Sequence, residues 1–540
     1  MSIFHSKTQF KKTAIAGALS MVAILSGCDS DDPDAGSSVD RQALSGIVVD
    51  GYIAGARVYL DTNENGRMNG GEPNAITDKD GYFSVSKDGN TDYCADDATE
   101  LESRHCLSAV ETGNEVILRI HGGFDVTTGE PFKGSMSARV SASDFDSKGV
   151  LEDQLISPIT SLLVDLPSDD VSNVEGVYGL LFDNIGDFLS TDSFDANATN
   201  AAIAFHKVVT IFADVLDDHY EEIGSTNFQF PQSSSVLIYE NIAELVGNDG
   251  GTKLTSVNVG SIFSSTEDDI EDLYNDLEED FEGSVDSSDK AAAILNAGKI
   301  LDLIDGALAT SGVDVIDIDD VQARLIGVEM VVQKVLDGDA DETEIDAAIA
   351  VAEVQGNTLQ TTVQAALDND NNIVDFSALV DVTFTGGTPV LTDVTIVNPE
   401  SFSGISGKQL MMTYDVNEDL DDDKSGNALF EFSGSGDAGT LTACLSYKDP
   451  DEDDSEESDG THFDGEWFLI DDYHLVMTLA GAYDLILTSK GERDVDSVTK
   501  KRFGFTFGGD TVSWLSDDGL VEDGDSMPTT DNACESLFES

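Results

Sequence analysis

The stretch Asp61-Thr-Asn63-Glu-Asn65-Gly66-Arg67-Met-Asn69-Gly-Gly-Glu72-Pro73 sets the organisation of the first part of this 540-residue chain. Oxygen-bearing side chains recur at alternate positions, and a glycine follows at the sixth. A hard divalent cation needs this spacing, because alternate side chains converge on one ion only where the backbone curls sharply. The pattern predicts a structural Ca²⁺ site with these ligands: Asp61, Asn63, Asn65, the carbonyl oxygen of Arg67, Asn69 and Glu72. A polar turn without a metal is the alternative.

Short strands flank this loop on both sides. The residues from Ala56 to Leu60 alternate between apolar and polar, and the stretch from Thr77 to Val85 ends in a second alternating run. Alternation with a period of two is typical of a half-buried strand. The two runs therefore predict a small antiparallel sandwich with an interior formed by Val58, Leu60, Phe83 and Val85.

The run from Ser45 to Val85 contains V-x-L-D-x-N-x-N-G, G-E-P and T-D-x-x-G-x-F. In these motifs it resembles the SdrD B-like and Cna B-like modules of bacterial surface adhesins, which are related to the regulatory domain of carboxypeptidases. The resemblance implies an immunoglobulin-like sandwich that acts as a stiff spacer. It also implies calcium binding by the residues that match the family's loop, namely Asp61, Asn63, Asn65 and Glu72.

The whole chain is predicted to be a multidomain α+β protein. A signal peptide (1–27) and a disordered acidic tether (28–43) precede three domains: a calcium-binding sandwich (44–158), a helical domain (159–374) and an antiparallel β domain (375–540). Apolar residues spaced by three and four predict helices at 174–190, 196–222, 235–247, 266–282, 288–309, 318–337 and 342–367. Short alternating runs predict that the last domain is a barrel or sandwich, with an exposed acidic loop at 449–459.

The amino terminus carries an export signal. Three lysines precede an apolar run from Thr13 to Leu25, which is too short to be a permanent transmembrane helix. The run ends in Leu25-Ser26-Gly27-Cys28, which resembles the lipobox of bacterial lipoproteins, and this resemblance implies that Cys28 is lipidated. An ordinary cleaved signal is the alternative. Asp29 is similar to the inner-membrane retention signal of enterobacterial lipoproteins, which favours an anchor facing the periplasm over one on the outer surface.

The chain contains 106 acidic and 27 basic residues, which gives a formal net charge of −79. Such a surface disfavours nucleic acid and anionic lipid headgroups as partners. It suits a salty, calcium-containing medium, where ions screen the self-repulsion. The remaining partners are the membrane, through the lipid, and an envelope protein or an apolar ligand.

Four cysteines remain once Cys28 is assigned to the anchor. They fall into two pairs, Cys94 with Cys106 and Cys444 with Cys534, each within one predicted domain. Exported proteins form disulfides in an oxidising compartment. Two intradomain disulfides are therefore predicted, with buried free thiols as the alternative.

The sequence lacks the motifs H-E-x-x-H, G-x-S-x-G and G-x-x-x-x-G-K-[ST]. The favoured interpretation is a non-enzymatic adhesion or scaffold protein stabilised by calcium. The alternative is an inner-membrane-anchored accessory lipoprotein that passes on a hydrophobic small molecule during uptake. In that case aromatic residues would line the C-terminal barrel: Trp467, Phe468, Tyr473, Phe505 and Trp514. An enzyme of unrecognised type is a third possibility.

Overall fold

A computed structural model of the chain describes residues 42–69, 71–109, 116–126, 131–140, 150–182, 186–189, 195–223, 233–276, 284–308, 382–385, 388–391, 399–414, 425–448, 461–479, 483–495, 498–507, 510–521 and 534. Several predictions lie outside these residues: the signal peptide, Cys28, Asp29, the tether up to residue 41, the helices at 318–337 and 342–367, and the acidic loop at 449–459. The tether is predicted to be disordered up to residue 43, which is wrong for its last two residues, because Gln42 and Ala43 pair with other strands as the start of β1 (Gln42–Val48). Within the described residues the fold is mixed α/β, with seven α-helices and several sheets.

Eight C-terminal strands close into an antiparallel barrel. They are β13 (Gln409–Tyr414), β14 (Ser425–Ser435), β15 (Ala438–Lys448), β16 (Thr461–Leu469), β17 (His474–Leu479), β18 (Tyr483–Val495), β19 (Val498–Phe507) and β20 (Asp510–Ser516). Closure follows because β13 pairs with both β14 and β20. Alternate residues of β13 point inward, among them Leu410 and Met412, whereas Met411 is 46% exposed. Of the two predicted alternatives, barrel and sandwich, the structure shows a barrel. The short strand β21 (Leu520–Val521) also pairs with β13. Before the barrel, β11 (Val382–Thr385) and β12 (Thr388–Leu391) form a separate antiparallel pair.

The first β region contains two four-stranded sheets and one two-stranded sheet. Its strands are β1 (Gln42–Val48), β2 (Ile53–Ala54), β3 (Arg57–Asp61), β4 (Asn74–Ile76), β5 (Tyr82–Phe83), β6 (Leu107–Ala109), β7 (Val116–His121), β8 (Phe124–Asp125), β9 (Ser135–Val140) and β10 (Val150–Ile156). Both larger sheets contribute to one buried cluster that includes Val58, Leu60 and Phe83. Val85 is only half-buried, because it follows the end of β5 in an isolated bridge with Asp92.

The prediction of purely antiparallel pairing is wrong at one place. β1 pairs with β10 in parallel, while β5 and β6 pair with β1 antiparallel. Parallel neighbours need a long crossover, and the whole of the intervening β region supplies it. Short turn signals between adjacent runs cannot reveal such a distant partner.

The helices are α1 (Glu100–Ser103), α2 (Pro158–Asp165), α3 (Val171–Tyr178), α4 (Ala196–Ile223), α5 (Ser234–Gly247), α6 (Val259–Asp276) and α7 (Ser287–Leu308), with a 3-10 turn at Asn248–Gly250. Three of them lie within one residue of predicted helices. α3 is shorter than predicted because Gly179 is left-handed (φ 70°) and ends it. α6 starts earlier than predicted, and α2 was not among the predicted helices although Ser157 and Thr160 form a capping box at its start.

The helices share a buried cluster with the first β region, through Ile47, Val49 and Leu155. Within the described residues, one stretch of α4, Asn197–Asp217, is long and apolar enough to cross a bilayer. Most of that stretch is buried inside the protein, so α4 serves as a core helix here.

The outer wall of the barrel is buried against the first β region. Four outward-pointing barrel residues, Phe468, Ile470, Val476 and Ile486, cluster with Ala54, Ile76 and Phe124. Two polar contacts flank the cluster: His474 stacks on Phe124 with ring centroids 3.9 Å apart, and Arg104 Nη2 lies 2.9 Å from Glu466 Oε2. The barrel and the first β region therefore share an apolar interface with a polar rim.

Two disulfides are present in the structure. One joins Cys94 to Cys106 next to α1, and the other joins Cys444 on β15 to Cys534. Leu429 packs against the second pair. The last described residue is thereby attached to the barrel wall.

Replacing Phe468 by Ala should destabilise the protein. The Phe468 side chain is fully buried in the interface, so its loss should lower the free energy of unfolding by about 3–5 kcal/mol. Urea denaturation monitored by tryptophan fluorescence measures this change. Val498→Ala, at a position that is 54% exposed, is the control and should change stability by less than about 0.5 kcal/mol. Equal effects of the two substitutions would contradict the interface.

Candidate functional site

The predicted calcium loop connects β3 to β4. Asp61 is the last residue of β3, and β4 pairs antiparallel with β3 from Asn74 onward. Between them the backbone turns through left-handed conformations at Glu64 (φ 57°) and Gly66 (φ 72°). A glycine adopts such a conformation without steric cost. Gly66 thus occupies the sharp turn that the sequence predicted for it.

The Asp61 carboxylate is buried and accepts three hydrogen bonds. Its Oδ2 accepts from the backbone N of Gly66 at 2.8 Å and from Nε of Arg119 at 2.6 Å. Its Oδ1 accepts from the backbone N of Asn65 at 3.1 Å. The side chains of Asp61 and Arg119 are 0% and 4% exposed. Asp61 is therefore fixed from two sides, by its own loop and by the neighbouring strand β7.

The Glu72 carboxylate closes the loop from its other end. Its Oε1 accepts from the backbone N of Thr62 at 2.8 Å and from Thr62 Oγ1 at 3.0 Å. Its Oε2 accepts from the backbone N of Asn69 at 2.8 Å. Glu72 is buried, so these bonds replace the water that it loses on folding. The first and twelfth positions of the loop are thereby brought into one hydrogen-bonded unit.

The amide side chains of the loop divide into acceptors and a donor. Asn63 Oδ1 accepts from the backbone N of Asn65 at 3.2 Å, and Asn65 Oδ1 accepts from the backbone N of Arg67 at 3.0 Å. Asn69 instead donates through Nδ2 to Asn65 Oδ1 at 3.1 Å and to the Arg67 carbonyl at 2.9 Å. In this arrangement Asn69 supports two of the predicted ligands and does not itself present an oxygen to them.

The donor set of the loop fits a hard cation. Its acceptors are all oxygens, from carboxylates, amides and a carbonyl, which are the ligands that Ca²⁺ prefers. Each carboxylate keeps one oxygen, Asp61 Oδ1 or Glu72 Oε2, that accepts only one of the hydrogen bonds described above. Among the described residues, no group of three or more His, Cys, Asp and Glu side chains is placed to hold a metal. The loop brings together two carboxylates and relies on amides for the rest.

Tyr59 supports the loop from the sheet below it. Its Oη donates to the Gly66 carbonyl at 3.1 Å, and the residue is almost fully buried. Burial raises the pKa of Tyr59 above its ordinary value, so the hydroxyl remains a donor at every physiological pH. Strict alternation would have exposed Tyr59, but the loop covers that face of β3.

Arg119 was missed by the sequence analysis as a member of this site. The signal was present, because a single arginine interrupts the apolar run Val116-Ile-Leu-Arg119-Ile of β7. A charged side chain inside a central strand is buried only when it is paired. The sequence of the strand alone does not indicate that this partner is Asp61, at the start of the loop.

A second buried polar network joins the first β region to α4. His206 Nδ1 pairs with Asp50 Oδ2, and His206 Nε2 lies 3.1 Å from the Lys133 carbonyl and 3.1 Å from Thr210 Oγ1. Phe132 stacks on the imidazole with 4.9 Å between ring centroids. Thr210 Oγ1 donates to the carbonyl of His206 at 3.0 Å and is buried, so it is not available as a nucleophile. The network therefore fastens the helix to the sheet.

The barrel interior is lined by stacked aromatic side chains. Trp467 is fully buried there, and its Nε1 donates to the carbonyls of Ser433 and Thr440, each at 3.1 Å. Trp514 is also buried, but its Nε1 has no hydrogen-bond partner among the described residues. Phe402 and Ile405, from the segment before β13, are fully buried in the same cluster, and the Phe402 N donates to the Asp472 carbonyl at 2.7 Å.

Of the five aromatic residues expected to line the barrel, three contribute to its interior: Trp467, Phe505 and Trp514. The expectation is wrong for Phe468, which points outward into the interface with the first β region. Adjacent residues of a strand face opposite sides of the sheet, so Trp467 and Phe468 cannot both point inward. Tyr473 lies in the turn between β16 and β17.

No protein-family model, curated protein or solved structure matches this chain. Its function must therefore be inferred from its own side chains. Two features are open to such inference: the loop between β3 and β4, with its buried carboxylates, and the aromatic interior of the barrel.

His105 should make stability depend on pH. Burial lowers the pKa of His105, whose Nδ1 lies 2.7 Å from the Ile76 carbonyl at the barrel interface. The neutral ring fits the folded state, so its contribution is present above the ordinary value of about 6.5 and is lost as the pH falls below it. Between pH 7.5 and pH 5.5, the melting temperature should fall less in His105→Gln than in the natural protein. An identical fall in both would contradict this role.

Proposed function

We propose that the protein is a non-enzymatic, lipid-anchored component of the bacterial cell envelope that serves adhesion or scaffolding. The observation that carries this proposal is the buried interface between the barrel and the first β region, with Phe468 and Phe124 at its centre. A spacer must hold its modules in a fixed relation, and an apolar interface with a polar rim does so better than a flexible linker. The two sheets around the first core would form the immunoglobulin-like spacer next to the tether.

Export and anchoring are part of the same proposal. Cys28 would carry the lipid, and the acidic residues after it would hold the folded modules away from the membrane. Asp29 favours the inner membrane facing the periplasm, whereas adhesion requires the outer surface.

An antibody against the barrel should label intact cells if the protein acts in adhesion. Labelling only after the outer membrane is opened would contradict adhesion and support a periplasmic role.

The loop between β3 and β4 would bind one structural Ca²⁺ ion. Its support is the set of oxygen acceptors in the loop, on Asp61, Asn63, Asn65, the Arg67 carbonyl and Glu72, with Asn69 as the sixth predicted ligand. Bound calcium would add positive charge to a chain whose net charge is −79, and so reduce its self-repulsion. Its role is to stabilise the loop.

Calcium should therefore raise the melting temperature, and EDTA should reverse the effect. Extracellular loops of this kind bind with a Kd of about 10⁻⁴ to 10⁻³ M, so millimolar calcium should stabilise by about 1 kcal/mol. Glu72→Gln removes one charged ligand while keeping the shape of the side chain, and it should abolish the response. Glu64→Gln is a matched control in the same loop, because Glu64 is exposed and makes none of the closing bonds. A response that survives Glu72→Gln would count against this site.

A second candidate function, the passing on of a hydrophobic small molecule, is favoured by one observation in the barrel. Trp514 Nε1 is a buried donor without a partner among the described residues. An unmade buried hydrogen bond costs about 1–3 kcal/mol, and an acceptor group on a bound apolar molecule would recover it. An eight-stranded barrel is wide enough for one small ligand at most.

Tryptophan fluorescence tests this second candidate, because the chain has only two tryptophans and both lie in the barrel. In Trp467→Phe, Trp514 is the only emitter, and titration with a medium-chain fatty acid should change its intensity and wavelength in a saturable way. The matched variant Trp514→Phe reports from Trp467, which already has two acceptors. A linear or flat titration of Trp467→Phe would count against ligand binding.

A further inference from the structure

The ion pair between Arg119 and Asp61 places a positive charge inside the loop proposed to bind calcium. Arg119 lies in the central strand β7, opposite Tyr59 of β3. Its Nε reaches the Asp61 Oδ2 at 2.6 Å, and both side chains are almost fully buried. A guanidinium remains charged at any physiological pH. Asp61 therefore has a permanent cationic partner from within the fold, whether or not a metal is bound.

Arg119 supplies the counter-charge that the buried Asp61 carboxylate needs. A buried carboxylate without a counter-charge is strongly unfavourable. At Asp61 the backbone N–H groups of Asn65 and Gly66 supply hydrogen bonds but no net charge. Arg119 supplies the charge, from the side of the sheet. With this counter-charge in place, the loop would not need calcium to keep its turn and its closing bonds through Glu72.

The same charge affects how strongly calcium can bind. Asp61 Oδ2 accepts from Arg119 and from the Gly66 N, whereas Oδ1 accepts only from the Asn65 N and so keeps more capacity for a cation. A cation held by Oδ1 would share one carboxylate with the guanidinium, and the two positive charges would repel each other. Asp61 and Glu72 provide a charge of −2, and Arg119 reduces it to −1. Removing Arg119 would also let Asp61 reorient, which would weaken calcium binding. This effect involves a single hydrogen bond and is smaller than the relief of charge repulsion.

We propose that Arg119 is the resident cation of this loop: it holds Asp61 in the metal-free protein and keeps the affinity for calcium low. Arg119 is thus a positioning residue for a cation ligand. This inference rests on the proposed calcium site. The coupling is reciprocal, so removing Arg119 should weaken the metal-free fold and strengthen calcium binding at the same time.

The test compares the full chain with Arg119→Met, by thermal unfolding in EDTA and by isothermal calorimetry with CaCl₂. In EDTA, Arg119→Met should melt several degrees below the natural protein. With calcium it should recover most of that difference, and its Kd for calcium should be at least tenfold lower. Arg57→Met is the matched control, because Arg57 lies on β3 and bonds Asn74 outside the loop. It should leave the calcium response unchanged.

Arg119→Lys separates charge from geometry and serves if Arg119→Met does not fold. A lysine keeps the positive charge but loses the planar fork of the guanidinium. It should lower the melting temperature in EDTA and leave the Kd for calcium within about threefold of the natural value. A tenfold gain in affinity for Arg119→Lys would overturn the electrostatic explanation.

Two further outcomes separate this inference from the calcium site itself. Calcium heats in both proteins with equal Kd values would overturn the role of Arg119 and leave the site standing. No heat in either protein would overturn the calcium site and, with it, the control of affinity by Arg119. An unchanged melting temperature of Arg119→Met in EDTA would overturn its role as the resident cation.

Discussion

The buried pair of Arg119 and Asp61 determines where β3 ends, and the first β region depends on that position. Asp61 accepts a hydrogen bond from the Gly66 N, which stabilises the turn where the chain leaves the sheet. Glu72 accepts from the Thr62 N and so closes the loop before β4 begins. β4 then carries Ile76 into the interface with the barrel. A charge pair between two strands thus sets the path of the segment that contacts the neighbouring module.

The two faces of the barrel wall have different partners. Inward residues pack into an aromatic column, in which Phe432 lies edge-on to Trp467 at 6.0 Å and Phe430 stacks with Phe505 at 5.9 Å. Outward residues of β16, β17 and β18 pack against the first β region. Strand alternation makes both packings possible at once, because neighbouring residues serve opposite faces. The same wall therefore supports a rigid scaffold and leaves Trp514 inside as the one buried indole donor without a partner among the described residues.

Local patterns in the sequence were sufficient for much of this architecture. Apolar residues spaced by three and four located α4, α5 and α7 to within one residue, and short alternating runs predicted the β fold of the last domain. Contacts between distant segments could not be predicted in this way. The parallel pairing of β1 with β10, the pairing of Asp50 with His206 and the outward position of Phe468 depend on neighbours far along the chain. At the loop, the spacing of the residues indicated the oxygen ligands, but only the fold showed that Arg119 contacts one of them.

The position of β1 has a mechanical consequence. The chain before residue 42 enters the fold through β1, which lies inside its sheet with β10 on one side and β5 and β6 on the other. A pull on the amino-terminal segment, directed along β1, loads the hydrogen bonds to both neighbours in shear, so that many must break together. Strand β1 would thus resist tension as a clamp and would not peel away one bond at a time. The proposed amino-terminal anchor would load β1 in this direction when medium flows past the cell.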